Sequence, residues 1–413
     1  MTQHFCSGAV GLVMAAGSAI GQGIPEAYTL VELVPAAGQP NSAALGVNDV
    51  NEVAGWSGLA GSSSPVFSLA TVWGTDGIGT DLPLAFGASS SVAQDINTSG
   101  TVLIRYVGGT EQVAVRTGNG SVLTLPDPAS DSSPTFAARL SEAGEVGAIV
   151  DTDGFFGDDG IVIWQQRPGG MEISLETGFL GVLIGSGFGS DPGTFAPDGT
   201  FVASGDDASG GSAHPQSFDP RTGETTEAGP AADISSARGA SSSGWVVGTS
   251  DSSVAVEFLA FVARPDGSVL ELAAFGCDES GTGGCALLSG VGTDALAVNE
   301  AGIVVGWVPR VLDTDDGVFL LDDSVAFIWS ESAGTVELST LIPDGSADGW
   351  QLDEATDITN SGVVVGNGIN PDGQQRGFIL IPRPRCAGDV NADGQVSSAD
   401  FFAWVSAFQS GCD

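Results

Sequence analysis

Apolar and polar positions alternate in short runs along this chain, and one phrase of about ten residues returns again and again. It opens on a small residue, an apolar residue and Asn, passes through a turn ending in Gly, and continues as an apolar run closing on Gly. The clearest copies run from Ala297 to Gly306 and from Asp357 to Gly366. Looser copies run 46–55, 95–104, 140–147, 195–203 and 240–248, which makes seven. Asn-x-x-Gly and Pro-Asp-Gly are hairpin signals, because Asn, Asp and Gly tolerate a positive φ. Each phrase therefore predicts two short antiparallel strands joined by a tight turn.

A further strand follows each phrase, as in Ala70–Trp73, Val113–Arg116, Ile161–Trp164, Ala260–Ala263 and Ala326–Trp329. After another turn comes one more, as in Gly120–Leu125, Gly267–Leu272 and Gly334–Leu338. A period of roughly 45 to 60 residues holding three or four antiparallel strands is the mark of a propeller blade. The fold expected is all-β, a β-propeller of about seven four-stranded blades over residues 25–382. In the seventh copy the strand Gly377–Pro382 has no successor before the chain changes character, whereas residues 27–34 form a strand with no predecessor. The N-terminal strand is expected to pair antiparallel with residues 377–382 and close the ring, since an open propeller leaves two unpaired edges.

The order Ala-Phe-x-Trp, Gly turn, Leu-ending strand and then Ala-x-x-Asn-x-x-Gly-x-Val-Val-Gly resembles the extracellular HAF repeat. It is clearest over 260–306 and 326–366 and degraded between about 100 and 240. The resemblance implies a secreted propeller and brings no catalytic set with it.

Composition agrees with short strands and tight turns: 62 Gly, 42% apolar residues, and too much apolar content for disorder. With 51 acidic residues against 11 basic ones, all Arg, the formal charge is −40. Such a field repels nucleic acid and anionic lipid, favours cations, and keeps the molecule soluble and monomeric. Residues 1–22 read as a signal peptide, a small and apolar run from Gly8 to Ile20 followed by small residues, although its start lacks Lys or Arg. No other segment is long and apolar enough to span a membrane. Outside the signal four cysteines fall into two local pairs, Cys277 with Cys285 and Cys386 with Cys412. Local even pairs fit disulfides in an oxidising, extracellular compartment. Zinc fits poorly, because neither pair has CxxC spacing and His214 is the one histidine beyond the signal.

Pro382 to Arg385 punctuates the end of the repeats, and residues 383–413 form a small module of another kind. A twelve-residue loop from Asp389 to Asp400 has EF-hand ligand spacing: Asp389, Asn391 and Asp393 at positions 1, 3 and 5, and Gly394 at the sharp turn. Gln395 offers its carbonyl, Ser397 acts through water, and Asp400 closes the shell. A hard cation needs six to eight such oxygens, so Ca²⁺ is the cofactor expected. Phe401, Val405 and Phe408 then recur at helical spacing, giving an EF-hand-like loop-helix module. This stretch resembles a dockerin repeat, and the flanking Cys386 and Cys412 resemble short GC-type dockerin-like tails. The resemblance implies attachment to a cohesin-like or other envelope or scaffold protein. One loop stands where a dockerin has two, which weakens the cohesin case.

Other signals resolve to structure. The acidic turns at 151–160 and 313–317 complete no ligand shell and read as solvated. Trp73, Trp164 and Trp329 hold equivalent repeat positions and read as packing between blades rather than sugar stacking. No nucleophile elbow or Walker loop occurs. The reading is a secreted or cell-surface, non-catalytic binding or structural protein, polysaccharide being one ligand class. The alternatives are a polysaccharide-degrading glycoside hydrolase with a dockerin-like anchor, which two inward carboxylates in a central cleft would favour, and a passive surface-layer component.

Overall fold

The computed structural model describes residues 23–36, 38–59, 68–108, 112–126, 138–151, 159–176, 193–206, 213–220, 222, 225–229, 235–251, 258–272, 292–314, 317–343, 345–383, 398, 401, 402 and 405. The chain opens with β1 (Tyr28–Leu33) and then builds blade I from β2 (Asn41–Val47), β3 (Val53–Gly58), β4 (Ser68–Trp73) and β5 (Gly79–Asp81). Blade II holds β6 (Ser90–Ile96), β7 (Val102–Val107), β8 (Gln112–Arg116) and β9 (Val122–Thr124). Blade III holds β10 (Ala138–Leu140), β11 (Val146–Asp151), β12 (Asp159–Arg167) and β13 (Gly170–Glu176). In blade IV are β14 (Thr194–Phe195), β15 (Phe201–Asp206), β16 (Ala213–Phe218) and β17 (Thr225–Glu227). Blade V comprises β18 (Ser235–Ala240), β19 (Val246–Asp251), β20 (Phe258–Ala263) and β21 (Val269–Leu272). Blade VI comprises β22 (Asp294–Val298), β23 (Val304–Thr314), β24 (Gly317–Ser330) and β25 (Gly334–Glu337). Blade VII has β26 (Gln351–Ile358), β27 (Val364–Ile369) and β28 (Gln375–Pro382), and its fourth strand is β1.

Seven four-stranded antiparallel blades thus form a seven-bladed propeller. The first strands stand side by side in cyclic order, β2 beside both β6 and β26. Ring closure is as expected from the order of strands: β1 pairs antiparallel with β28, from Tyr28 opposite Pro382 to Leu33 opposite Gly377. Val34 leaves the ladder and bridges to Ile78 of blade I. Arg376, buried beneath this seam, pairs with Glu32 of β1 at 2.7 Å and also bonds the Pro40 carbonyl.

Each Asn phrase is the end of a first strand, the hairpin, and the start of a second strand. In blade VI Asn299 N–H bonds the Ile303 carbonyl, Gly302 N–H bonds the Asn299 carbonyl, and Gly302 takes φ 75°. The same pair of bonds recurs in all seven blades, and in blade I Asn51 takes the left-handed position at φ 65°. The Asn side chain fastens its own turn, its Oδ1 accepting from Ala301 N–H (3.1 Å) and Ile303 N–H (3.0 Å). It also reaches the next blade: Nδ2 of Asn48 donates to the Asn97 carbonyl, that of Asn97 to Ser141, and that of Asn299 to Thr359. A short amide has a donor and an acceptor and can serve both blades at once.

The apolar core is divided among the seven blade junctions. Leu33, Val365 and Ile379 of blade VII pack with Ala44, Val53 and Trp73 of blade I. Val113 and Val115 of blade II meet Val146, Val162 and Trp164 of blade III. Trp73 and Trp164 are fully buried, and each donates Nε1–H at 2.8 Å to a carbonyl just past the outer strand of the preceding blade, Val34 and Pro126. Trp329 is also buried. The repeat tryptophans are therefore packing residues between blades, as their periodicity suggested.

Blade VI departs from the common size. Its β23–β24 ribbon continues pairing as far as Thr314 opposite Gly317. Among the described residues no helix is long and apolar enough to cross a membrane.

Candidate functional site in the axial channel

Counting back from each turn sets out the channel. Two residues before the first turn residue, the seven blades carry Gly46, Asp95, Arg139, Thr194, Gly239, Ala297 and Asp357, all of which line one central cavity of about 190 Å³. In blades I, II, V, VI and VII a β-bulge precedes this position. A bulge re-aims the following side chain, so the repeat directs this residue toward the axis.

Two of the seven are carboxylates, and they are used alike. Asp95 accepts N–H of its neighbour Ile96 (2.8 Å) and of Leu140 in the next blade (2.9 Å). Asp357 accepts N–H of Ile358 (2.8 Å) and of Val47 in the next blade (2.8 Å). Between them in the ring stands Gly46 of blade I, where a Cβ would lie 3.3 Å from Asp95 Oδ1 and 3.7 Å from Asp357 Oδ2. Burial pushes the Asp357 carboxyl up to about 7; the Val47 N–H opposes this, Asp95 adds to it, and the Ile358 N–H and Arg139 oppose it. Asp95 is also raised by burial, with Arg139 and the two N–H bonds pulling down and Glu142 pushing up. Arg238 lines the same cavity and pairs with Asp294 at 3.5 Å.

Around the mouth, turn residues latch neighbouring blades. Asp49 accepts the backbone N–H and the side-chain Nδ2–H of Asn360, Glu142 accepts Thr98 N–H, and Glu300 accepts the N–H groups of Ser242 and Ser243. The site is thus a small central cavity lined by two carboxylates, with engaged acids on the turns beside it. It can hold a proton or receive donor groups, but four of the carboxylate bonds already go to backbone.

The expected calcium ligands Asp389, Asn391, Asp393, Gln395 and Asp400 lie outside the described residues, as do Cys277, Cys285, Cys386, Cys412 and the signal segment. Ser398, Phe401, Phe402 and Val405 of the tail are described, each in helical backbone, with Phe401 and Phe402 exposed. Among the described residues, no group of three or more His, Cys, Asp or Glu side chains could hold a metal ion.

Two structural roles escaped the sequence reading. Six residues before the turns of blades I, II and VI a hydroxyl clamps the preceding blade: Ser42 accepts Gly377 N–H, Ser91 accepts Ala70 N–H, and Thr293 accepts Ala260 N–H. A Ser or Thr at fixed distance before the Asn phrase was the available signal. The Gly closing the phrase faces the carbonyl of the bulged strand, and a Cβ at Gly306 would lie 2.0 Å from the Asp294 carbonyl oxygen.

No protein-family model matches the sequence, and no curated protein matches it. Solved structures with a similar arrangement include TolB from Acinetobacter baumannii, at 11% identity and a TM-score of 0.35 over 66% of this chain and 60% of that one. A protein from Lactobacillus plantarum is similar at 15% identity and a TM-score of 0.37, over 74% and 85% of the two chains. A puromycin-hydrolyzing peptidase from Mycobacterium tuberculosis is similar at 14% identity and a TM-score of 0.38, over 69% and 44%. The chain therefore spans 60% of TolB and 44% of the peptidase.

Proposed function

We propose that this chain is a secreted, non-catalytic binding or structural protein, a seven-bladed propeller attached to an envelope or scaffold partner through a calcium-dependent C-terminal module. What supports the non-catalytic reading is the use of the channel carboxylates: Asp95 and Asp357 each join two blades through backbone N–H groups. Their repeat position and their bonding make them structural members of the ring. The attachment reading rests on the ligand spacing from Asp389 to Asp400 and on the pair Cys386 and Cys412. The tail departs from the ring seam itself, where Arg383 N–H bonds the Ala27 carbonyl at 2.9 Å and its Nε bonds Thr29 Oγ1 at 3.1 Å.

Calorimetry on the whole chain tests this. Calcium should bind with a dissociation constant on the order of 10⁻⁴ to 10⁻³ M, as single extracellular loops do, and Asp389→Ala should abolish the heat. Pull-downs from envelope extracts should recover a partner with calcium and lose it on chelation. A chain that gives no heat at millimolar calcium, or an Asp389→Ala chain that binds as well as the parent, overturns the attachment function.

One observation favours the glycoside hydrolase instead. Asp95 and Asp357 converge on the point above Gly46, and an acid with its pKa near neutrality is what such an enzyme requires of its proton donor. Hydrolysis of a polysaccharide by the parent and not by Asp95→Asn would establish that reading.

A further inference from the structure

The two channel carboxylates lie in different blades, II and VII, yet both border blade I. Each ties its own first strand to that of the following blade, Asp95 to Leu140 and Asp357 to Val47. Blade I is therefore held on one side by an acid and faces a second acid on the other, with only Gly46 between them. A Cβ at that point would stand 3.3 Å from one carboxylate and 3.7 Å from the other.

The charged groups facing this pair come from several blades. Arg139 of β10 acts on both acids, and Glu142 of the following turn opposes it at Asp95. Arg238 of β18 is paired with Asp294 of β22. Asp49 and Glu300 at the mouth are engaged by N–H groups of Asn360, Ser242 and Ser243. One Arg thus serves two carboxylates, and two like charges in a small cavity oppose full ionisation of both.

We propose that Asp95 and Asp357 form a proton-operated clamp on the ring, closed when the pair carries a proton and loosened at blade I when both acids ionise. The clamp is independent of what the tail binds. Its sign follows from linkage. The folded-state value for Asp357 is raised from 3.8 to about 7, so the folded chain holds a proton that the unfolded chain releases within that window. Stability from this group is complete below 3.8 and is lost as pH rises through about 7. Inside the window each such proton multiplies the unfolding constant by about tenfold per pH unit.

Urea denaturation of the full chain at steps from pH 5 to 8 tests the clamp. The unfolding constant should rise more steeply in the parent than in Asp357→Asn or Asp95→Asn, by up to about tenfold per unit below pH 7. Comparison with the variants removes the general relief of repulsion that any acidic chain gains on acidification. Equal slopes in all three chains overturn the proposal. Should the Asn variants fail to fold, amide exchange in the parent decides, after correction for intrinsic pH dependence. Protection along the β2–β3 ladder of blade I should then fall between pH 6 and 8 while that around Val247 in blade V holds. Parallel behaviour of the two blades sinks the idea.

Discussion

Removing β1 should undo the ring, and the size of the effect can be worked from its contacts. The strand buries Tyr28 and Leu33 completely and Leu30 almost so, each worth about 1.5–3 kcal/mol of apolar burial. Their sum, about 5–9 kcal/mol, rivals the ~5–15 kcal/mol that stabilises a typical domain. Further losses follow on the partner side. Trp73 Nε1–H would be left without the Val34 carbonyl, Ser42 Oγ without that of Leu33, and Arg376 without Glu32. Each buried group so orphaned costs about 1–3 kcal/mol more. A chain starting at residue 36 should therefore be unfolded or melt far below the parent in circular dichroism and urea titrations, and a synthetic peptide of residues 23–35 added in excess should restore part of the loss by mass action. Leu33→Ala gives a milder test, an expected loss of about 2–5 kcal/mol. A truncated chain that keeps the parent's denaturation midpoint would refute closure by this strand.

Four other outcomes are expected. Tyr28→Phe should hold or raise stability by about 1 kcal/mol in urea titration, because the buried Tyr28 hydroxyl has no hydrogen-bond partner among the described residues; a clear loss would expose a partner for that hydroxyl. Gly306→Ala should cost about 1–3 kcal/mol or more by the same assay, since its Cβ would meet the Asp294 carbonyl oxygen at 2.0 Å and the Phe327 ring at 2.9 Å. Asn299→Ala removes two turn bonds and the link to Thr359; it should lower stability by about 1–3 kcal/mol and speed amide exchange in the 359–363 turn as well as its own. Non-reducing peptide mapping should join Cys277 to Cys285 and Cys386 to Cys412, whereas a bridge between the two pairs would contradict the local pairing.

Much of the architecture was legible because it is local. The small polar residues of each phrase and the Gly that closes its turn, Asn51 in blade I, dictate a hairpin through their own backbone preferences, so seven phrases announced seven blades even where the middle copies are degraded. Ring closure was legible too, from one strand too few at one end and one too many at the other. What the chain could not announce was which side chains meet across the axis. Among 51 acidic residues Asp95 and Asp357 are set apart by their shared place at the head of the repeat phrase, which does not tell what they meet across the axis. The two belong to blades at opposite ends of the chain and approach each other only because β1 closes the ring around blade I. The hydroxyl clamp at Ser42, Ser91 and Thr293 was hidden for the same reason, since its partners lie in the preceding blade. Turn geometry follows from neighbouring residues, whereas a carboxylate's environment is set by the low-dielectric cavity and by charges that only the closed ring brings beside it.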